Sequence, residues 1–140
     1  MKPMLSKKQI LKRTRELRRK IKRDHPILYK ARILRKAYKA LGHDIPTERL
    51  MEKLEEIKTC DYCNNLFDPL AASLDHILPK SRGGSNELEN LHLVCFSCNL
   101  MKGNLTDSEF RDLLRWLLDK PEVYVILKKR LKAAGFMYGG

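Results

Sequence analysis

The sequence predicts an α+β fold: a mostly helical chain built around one small unit of two strands and a helix. Three observations predict it. Helical apolar periodicity occupies both flanks, over residues 7–57 and 106–134. Between them, two short apolar runs, Ala71–Ile77 and Leu91–Cys95, flank a polar loop that holds Gly83-Gly84, the pattern of two strands. Two Cys-x-x-Cys pairs, Cys60/Cys63 and Cys95/Cys98, bracket those runs with thirty-one residues between the pairs.

The helices follow from their punctuation. Ser6 with Gln9 three residues on is a capping box that opens a helix from Lys7 to Arg23. Its stripe is thin: Ile10, Leu11, Leu17 and Ile21. Pro26 suits a first helical turn, and a second helix runs to Leu41 on Ile27, Ala31, Leu34, Tyr38 and Leu41, with Gly42 as its stop. Thr47 to Ile57 is a third, packing Leu50, Leu54 and Ile57. Phe96 to Lys102 is a short helix after the second strand. Thr106 and Glu109 form a second capping box, opening a helix whose face is Phe110, Leu113, Leu114, Leu117 and Leu118. A last helix from Pro121 to Ala134 offers Val123, Ile126, Leu127 and Leu131, with Gly135 as its cap, and Trp116 is expected in the core with these stripes. Three segments result: a basic helical arm (1–58), the central unit (59–105) and C-terminal helices that pack on it (106–140).

The 140 residues suit one domain with an appendage, and no run approaches the roughly 20 apolar residues of a membrane span. The first residues lead into lysine and arginine rather than an apolar stretch, so a secretory signal is not expected and a cytoplasmic protein is. A basic organelle transit peptide is the competing reading of the same residues.

The net charge of +12 is unevenly spread. Residues 1–58 carry 19 Lys/Arg against 7 Asp/Glu, whereas residues 59–140 carry 10 of each. Two consecutive helices hold most of the excess, and like charges so close repel unless a counter-charge arrives. A polyanion is the expected partner, and Lys12, Arg15, Arg19, Arg32, Arg35 and Lys36 are the candidate phosphate contacts. A solvated cationic face, or contact with a membrane or another protein, is the competing reading. No base-reading motif accompanies these cations, so they would supply affinity and salt dependence rather than sequence choice.

Four cysteines in two close pairs read as ligands of one structural Zn²⁺, because each Cys-x-x-Cys presents two sulfurs from one turn and zinc takes four in a tetrahedron. A redox dithiol is the rival, better suited to one pair than to two. Inside this frame lie Asp75-His76, then Asn90 after thirteen intervening residues, then Asn99 after eight more, directly following Cys98. Hydrolysis of a phosphodiester needs an activated water and neutralisation of charge at phosphorus. Histidine is the residue type whose ordinary pKa lies near neutrality, so His76 suits the first task. Asp75 and Asn99 offer hard oxygens to Mg²⁺ or Mn²⁺ for the second. Singly, an Asp-His pair is a common surface feature, Asn90 a turn residue and Asn99 a helix cap; the constellation inside a zinc frame is what points to function. His92 alternates with core-facing leucines and is a weaker candidate. His25 and His43 sit at turns and carry no assignment.

The order of Asp-His, a Gly-Gly loop, Asn-Leu, Cys-x-x-Cys-Asn and Lys-Gly resembles the HNH (ββα-metal) endonuclease family over Cys60 to Asn104. Asn99 stands where the family's name-giving final histidine would be. The four-cysteine branch with asparagine there is similar to the phage recombination endonuclease VII group. The resemblance implies a ββα-metal unit and a metal-dependent DNA endonuclease from a bacterial or phage-infected cell. It implies His76 as general base, Asp75 and Asn99 as ligands of the catalytic metal, and Asn90 as the residue bracing the loop. The products would be 5′-phosphate and 3′-hydroxyl ends, from duplex or branched DNA. Lys80, Arg82 and Lys102 are placed to contact phosphate, with a solvated loop as the competing reading for Lys80 and Arg82. A non-catalytic zinc-stabilised nucleic-acid-binding module is the alternative, and a zinc-stabilised protein-interaction unit a further one. The long basic helices leave two uses open, DNA contact and a homodimer interface.

Overall fold

The capping box at Ser6 forms as the pattern predicts: Ser6 Oγ accepts the Gln9 N–H at 3.2 Å, and Gln9 Oε1 accepts the Ser6 N–H at 2.8 Å. The computed structural model describes residues 2–138, without the side chains of residues 132 and 134–138. Its contacts divide the chain into two compact units, Met1–Leu54 and Glu55–Gly140. Among the described residues there are six α-helices and one two-stranded sheet, and no helix is long and apolar enough to cross a membrane.

In the first unit, helix α1 (Lys7–Asp24) leads through His25 into α2 (Pro26–Ala40), and α3 (Thr47–Glu56) follows. Ala31, Leu34 and Tyr38 of α2 and Leu50 and Leu54 of α3 are buried. Each large side chain among them contributes about 1.5–3 kcal/mol by leaving water. Gly42 takes φ +94°, the left-handed conformation that ends α2 without a Cβ clash. α1 differs from expectation. None of its residues is buried, and Ile10, Leu11 and Leu17 are more than half exposed. Too few apolar positions recur on one face of α1 to cover it, so of its apolar residues only Ile21, beside α2, is half-buried.

The second unit is organised by an antiparallel hairpin of β1 (Ala72–His76) and β2 (Leu91–Cys95), with Asp75 opposite His92 and His76 opposite Leu91. Helix α4 (Phe96–Lys102) starts at once after β2 and packs on both strands. Gly103 ends α4 at φ +48°. α5 (Asp107–Leu118) opens on the Thr106/Glu109 capping box, and α6 (Pro121–Tyr138) packs on α4 and α5. Residues 106–138, expected as a separate segment, therefore fall in one compact unit with the hairpin.

Three expectations for these helices are corrected. Trp116 and Leu118 are 53% and 58% exposed, because Phe110, Leu114 and Leu117 take the buried face of α5. Val123 and Ile126 are exposed as well, and the face of α6 turned inward carries Tyr124 and Leu127. Gly135 does not end α6, which continues to Tyr138. One glycine costs a helix only about 1 kcal/mol against alanine and does not stop it alone.

Candidate active site and metal centre

The four cysteines converge. Cys60 and Cys63 lie on a tight turn in which Asn64 N–H donates to the Cys60 carbonyl at 2.9 Å and Cys60 N–H to the Asn65 carbonyl at 2.9 Å. Asn64 adopts φ +57°, a left-handed conformation that asparagine tolerates. The bridge between Thr59 and Leu66 closes the base of this turn. Cys95 ends β2, and Cys98 lies one turn into α4. All four are free thiols, their sulfurs lie within 4.8 Å of one another, and Cys63 and Cys95 Sγ are 3.9 Å apart. Four sulfurs about 2.3 Å from a central zinc would stand about 3.8 Å apart, so donor type and spacing both fit that metal. The cluster's own electrostatics ask for a cation. Hydrogen bonds from Cys63, Cys95 and Cys98 hold the Cys60 thiol far below its usual range, while Cys60 and Cys63 push the Cys95 and Cys98 thiols above theirs. Four neighbouring sulfurs do not all ionise without a positive charge among them. The Tyr124 hydroxyl of α6 is buried beside these sulfurs, without an oxygen or nitrogen partner among the described residues. Burial, then the nearby Cys63 and Cys98 charges, raise its pKa.

The hairpin and α4 then assemble the second site. Asp75, His76 and Asn99 line one pocket of about 230 Å³, together with Lys80 and Ser81 from the loop and Asn104 beyond α4. His76, at the end of β1, holds Asn86 Oδ1 at 2.9 Å from its Nε2. An amide oxygen only accepts, so Nε2 is the donor in this pair, and in the neutral ring Nδ1 is the nitrogen left to accept a proton. Asn99 Nδ2 donates to Ser73 Oγ at 2.6 Å, leaving its amide oxygen for another partner.

Asp75 is only 5% exposed. Its Oδ2 accepts from His92 Nε2 at 2.6 Å across the hairpin, and its Oδ1 from Lys102 Nζ at 3.2 Å. Lys102 also donates to the His76 carbonyl at 2.7 Å. The ring of Tyr62, in the first cysteine turn, meets His92 edge-on at 5.3 Å, and its hydroxyl donates to Asp107 at 2.8 Å. A ring contact and a hydrogen bond thus link the cysteine turn through His92 to the pocket carboxylate.

Asn90 lies outside the pocket and ties the loop. Its Oδ1 accepts from Leu78 N–H at 2.8 Å, and its Nδ2 donates to the Leu78 and Ser85 carbonyls at 3.0 and 2.8 Å. A Cβ on Gly84 would overlap the Leu78 carbonyl oxygen, so the loop closes only with glycine there.

Lys102 corrects the sequence reading. It is 1% exposed, and as the last residue of α4 it extends beneath the end of β1, so it is a counter-ion of Asp75 and not a phosphate contact. Lys102→Met would leave a buried carboxylate short of its counter-charge. We expect it to lose about 3 kcal/mol of stability by urea unfolding. Arg82 is engaged by Glu109 and Arg35 by Asp44, whereas Lys12, Arg15, Arg19, Arg32, Lys36 and Lys80 are exposed. Asn86, Ser73 and Tyr62 escaped the sequence reading, and His92, only a weaker candidate there, is the partner of Asp75. A signal existed for His92: pairing His76 with Leu91 in an antiparallel hairpin places residue 75 opposite 92. No comparable signal existed for Asn86 or Tyr62.

A hairpin whose first strand ends in Asp-His and whose following helix supplies Asn, beside four converging thiols, makes a ββα unit. Residues 60–105 match the model of the HNH endonuclease family. A stretch of 46 residues is 41% identical to the CRISPR-associated endonuclease Cas9 of Corynebacterium diphtheriae, covering 32% of this chain and 4% of that protein.

Proposed function

We propose that this chain is a metal-dependent DNA endonuclease that hydrolyses phosphodiester bonds and leaves 5′-phosphate and 3′-hydroxyl ends. The observation that carries the proposal is the convergence of Asp75, His76 and Asn99 on one pocket, within the segment that matches the HNH endonuclease model. His76 takes a proton from the attacking water at Nδ1, with Asn86 fixing the tautomer. Asp75 and the Asn99 amide oxygen are hard oxygen donors suited to Mg²⁺ or Mn²⁺. A divalent cation bound there would supply positive charge to the scissile phosphate and the departing oxygen. Lys80 offers a further cation at the pocket. Asn90 keeps the loop, and with it Asn86 and Lys80, in register with β1. The four cysteines hold a structural zinc, and the exposed cations of α1 and α2 bind the DNA backbone.

One observation favours a second reading. Both oxygens of Asp75 are engaged by Lys102 and His92, as a purely structural carboxylate would be, which suits a non-catalytic zinc-stabilised DNA-binding module. Nicking of supercoiled plasmid by zinc-loaded protein, with Mg²⁺ or Mn²⁺ added or withheld, separates the two. Metal-dependent conversion to open circles is the expected result; plasmid that is bound and stays supercoiled under every metal condition overturns the nuclease.

A further inference from the structure

The cations of the first unit fall on two surfaces. Lys8, Lys12, Arg15 and Arg19 share a face of α1 alone. A second group, Arg18, Arg32, Lys36 and Lys39, lines a cleft of about 620 Å³ between α1 and α2. The α1 face also carries Leu11 and Glu16, and only the cleft has an aromatic ring in its lining. The cleft is also lined by Ile21, Tyr29 and Ile33, with Ile33 42% exposed. Its volume lies within the range of sites that enclose a small ligand, about 300–1,000 Å³. None of Arg18, Arg32, Lys36 and Lys39 has an ion-pair partner among the described residues, whereas Arg35 at the same cleft is held by Asp44. Lys22 adds a cation 5.6 Å from the Tyr29 ring centroid.

This combination selects among polyanions. A duplex presents phosphates and sugars to a protein surface and keeps its bases stacked inside. It would satisfy the cations and leave the aromatic and aliphatic lining of the cleft wet. A flat base with a phosphate on either side satisfies both, because bases stack on aromatic rings while cations track the backbone. We propose that the α1–α2 cleft binds an unstacked nucleotide of single-stranded DNA, with the base against Tyr29 and Ile33 and the flanking phosphates on Arg18, Arg32 and Lys36. The choice of DNA rests on the nuclease reading; the choice of single strand rests on the cleft. The protein then recognises DNA with an unpaired segment through the first unit and cuts it with the second.

The test uses the full chain carrying His76→Ala, loaded with zinc and without added Mg²⁺, so that binding is read without cleavage. The probes are a thymidine oligonucleotide, an abasic oligonucleotide of equal length, and a duplex of that length, followed by fluorescence anisotropy at several salt concentrations. The cleft predicts about tenfold tighter binding of the thymidine strand than of the abasic strand. Tyr29→Ala and, separately, Ile33→Ser should remove that preference while leaving the salt dependence unchanged. Ile33 is half exposed, so its replacement keeps the test sound should the Tyr29 variant unfold. Arg32→Gln with Lys36→Gln should weaken both strands equally and flatten the salt dependence. Equal affinity for thymidine and abasic strands, or displacement of the thymidine strand by poly-glutamate as readily as by the abasic strand, overturns the proposal. Preference for the base with no plasmid nicking by wild type would remove the nuclease and keep the cleft; nicking with no preference for the base would do the reverse.

Discussion

Cys98→Ser should empty the metal centre and unfold the second unit. Cys98 is fully buried in the first turns of α4, and α4 packs on both strands and on α6, so its sulfur ties most of the unit to the Cys60 turn. Serine keeps the volume and loses the soft thiolate, and three sulfurs leave a tetrahedral site incomplete. Structural zinc sites contribute about 10 kcal/mol or more to folding, comparable with the whole stability of a small domain at about 5–15 kcal/mol. The expected readings are zinc content falling from one per chain to none and disappearance of the unit's thermal transition. A chelator should do the same to wild type. Trp116→Ala is the control: the ring is 53% exposed, so we expect a change within about 0.5 kcal/mol and full zinc content. A Cys98→Ser protein that melts at the wild-type temperature would show that the cluster does not hold the fold.

His76→Ala should act on chemistry alone. The imidazole is half-buried at the pocket and hydrogen-bonds Asn86 of the loop, while the hairpin itself rests on backbone pairing and on the burial of Leu91, Leu93 and Val94. Losing a positioned general base costs about 10²–10⁴-fold in rate. Plasmid nicking should therefore fall by about 10³-fold, with zinc content, melting temperature and DNA affinity unchanged. Nicking at the wild-type rate would remove His76 from the mechanism, and a parallel loss of stability would reassign it to the fold.

Much of the architecture was legible because its signals are local. Ser6/Gln9 and Thr106/Glu109 start helices through contacts three residues apart, and both capping boxes form. β2 and α4 begin and end where the apolar run and the second cysteine pair place them. β1 came out one residue shorter at each end, since Ala71 closes a 3-10 turn and Ile77 already belongs to the loop, its N–H bonded to Asn90. What failed was the inference from an apolar stripe to burial. Leu17, Trp116 and Ile126 occupy helical positions that look inward on paper, and each is more than half exposed, because burial depends on whether another element covers that face.

The sequence by itself determined the class of the chain: an α+β protein with four cysteines spaced to hold a metal, a segment that resembles HNH endonucleases and an unbalanced positive charge. Those properties reside in residue identity and short spacing, and no partner element is needed to read them. Only the tertiary structure decided that Lys102 is buried against Asp75, that His92 and Tyr62 connect the cysteine turn to the pocket, and that the basic helices enclose a cleft with an apolar lining. Each of these joins residues distant in sequence or on separate helices. A lysine at a helix end looks solvated until the strand it reaches is in place, and the low exposure that makes its charge matter is a property of the packed molecule.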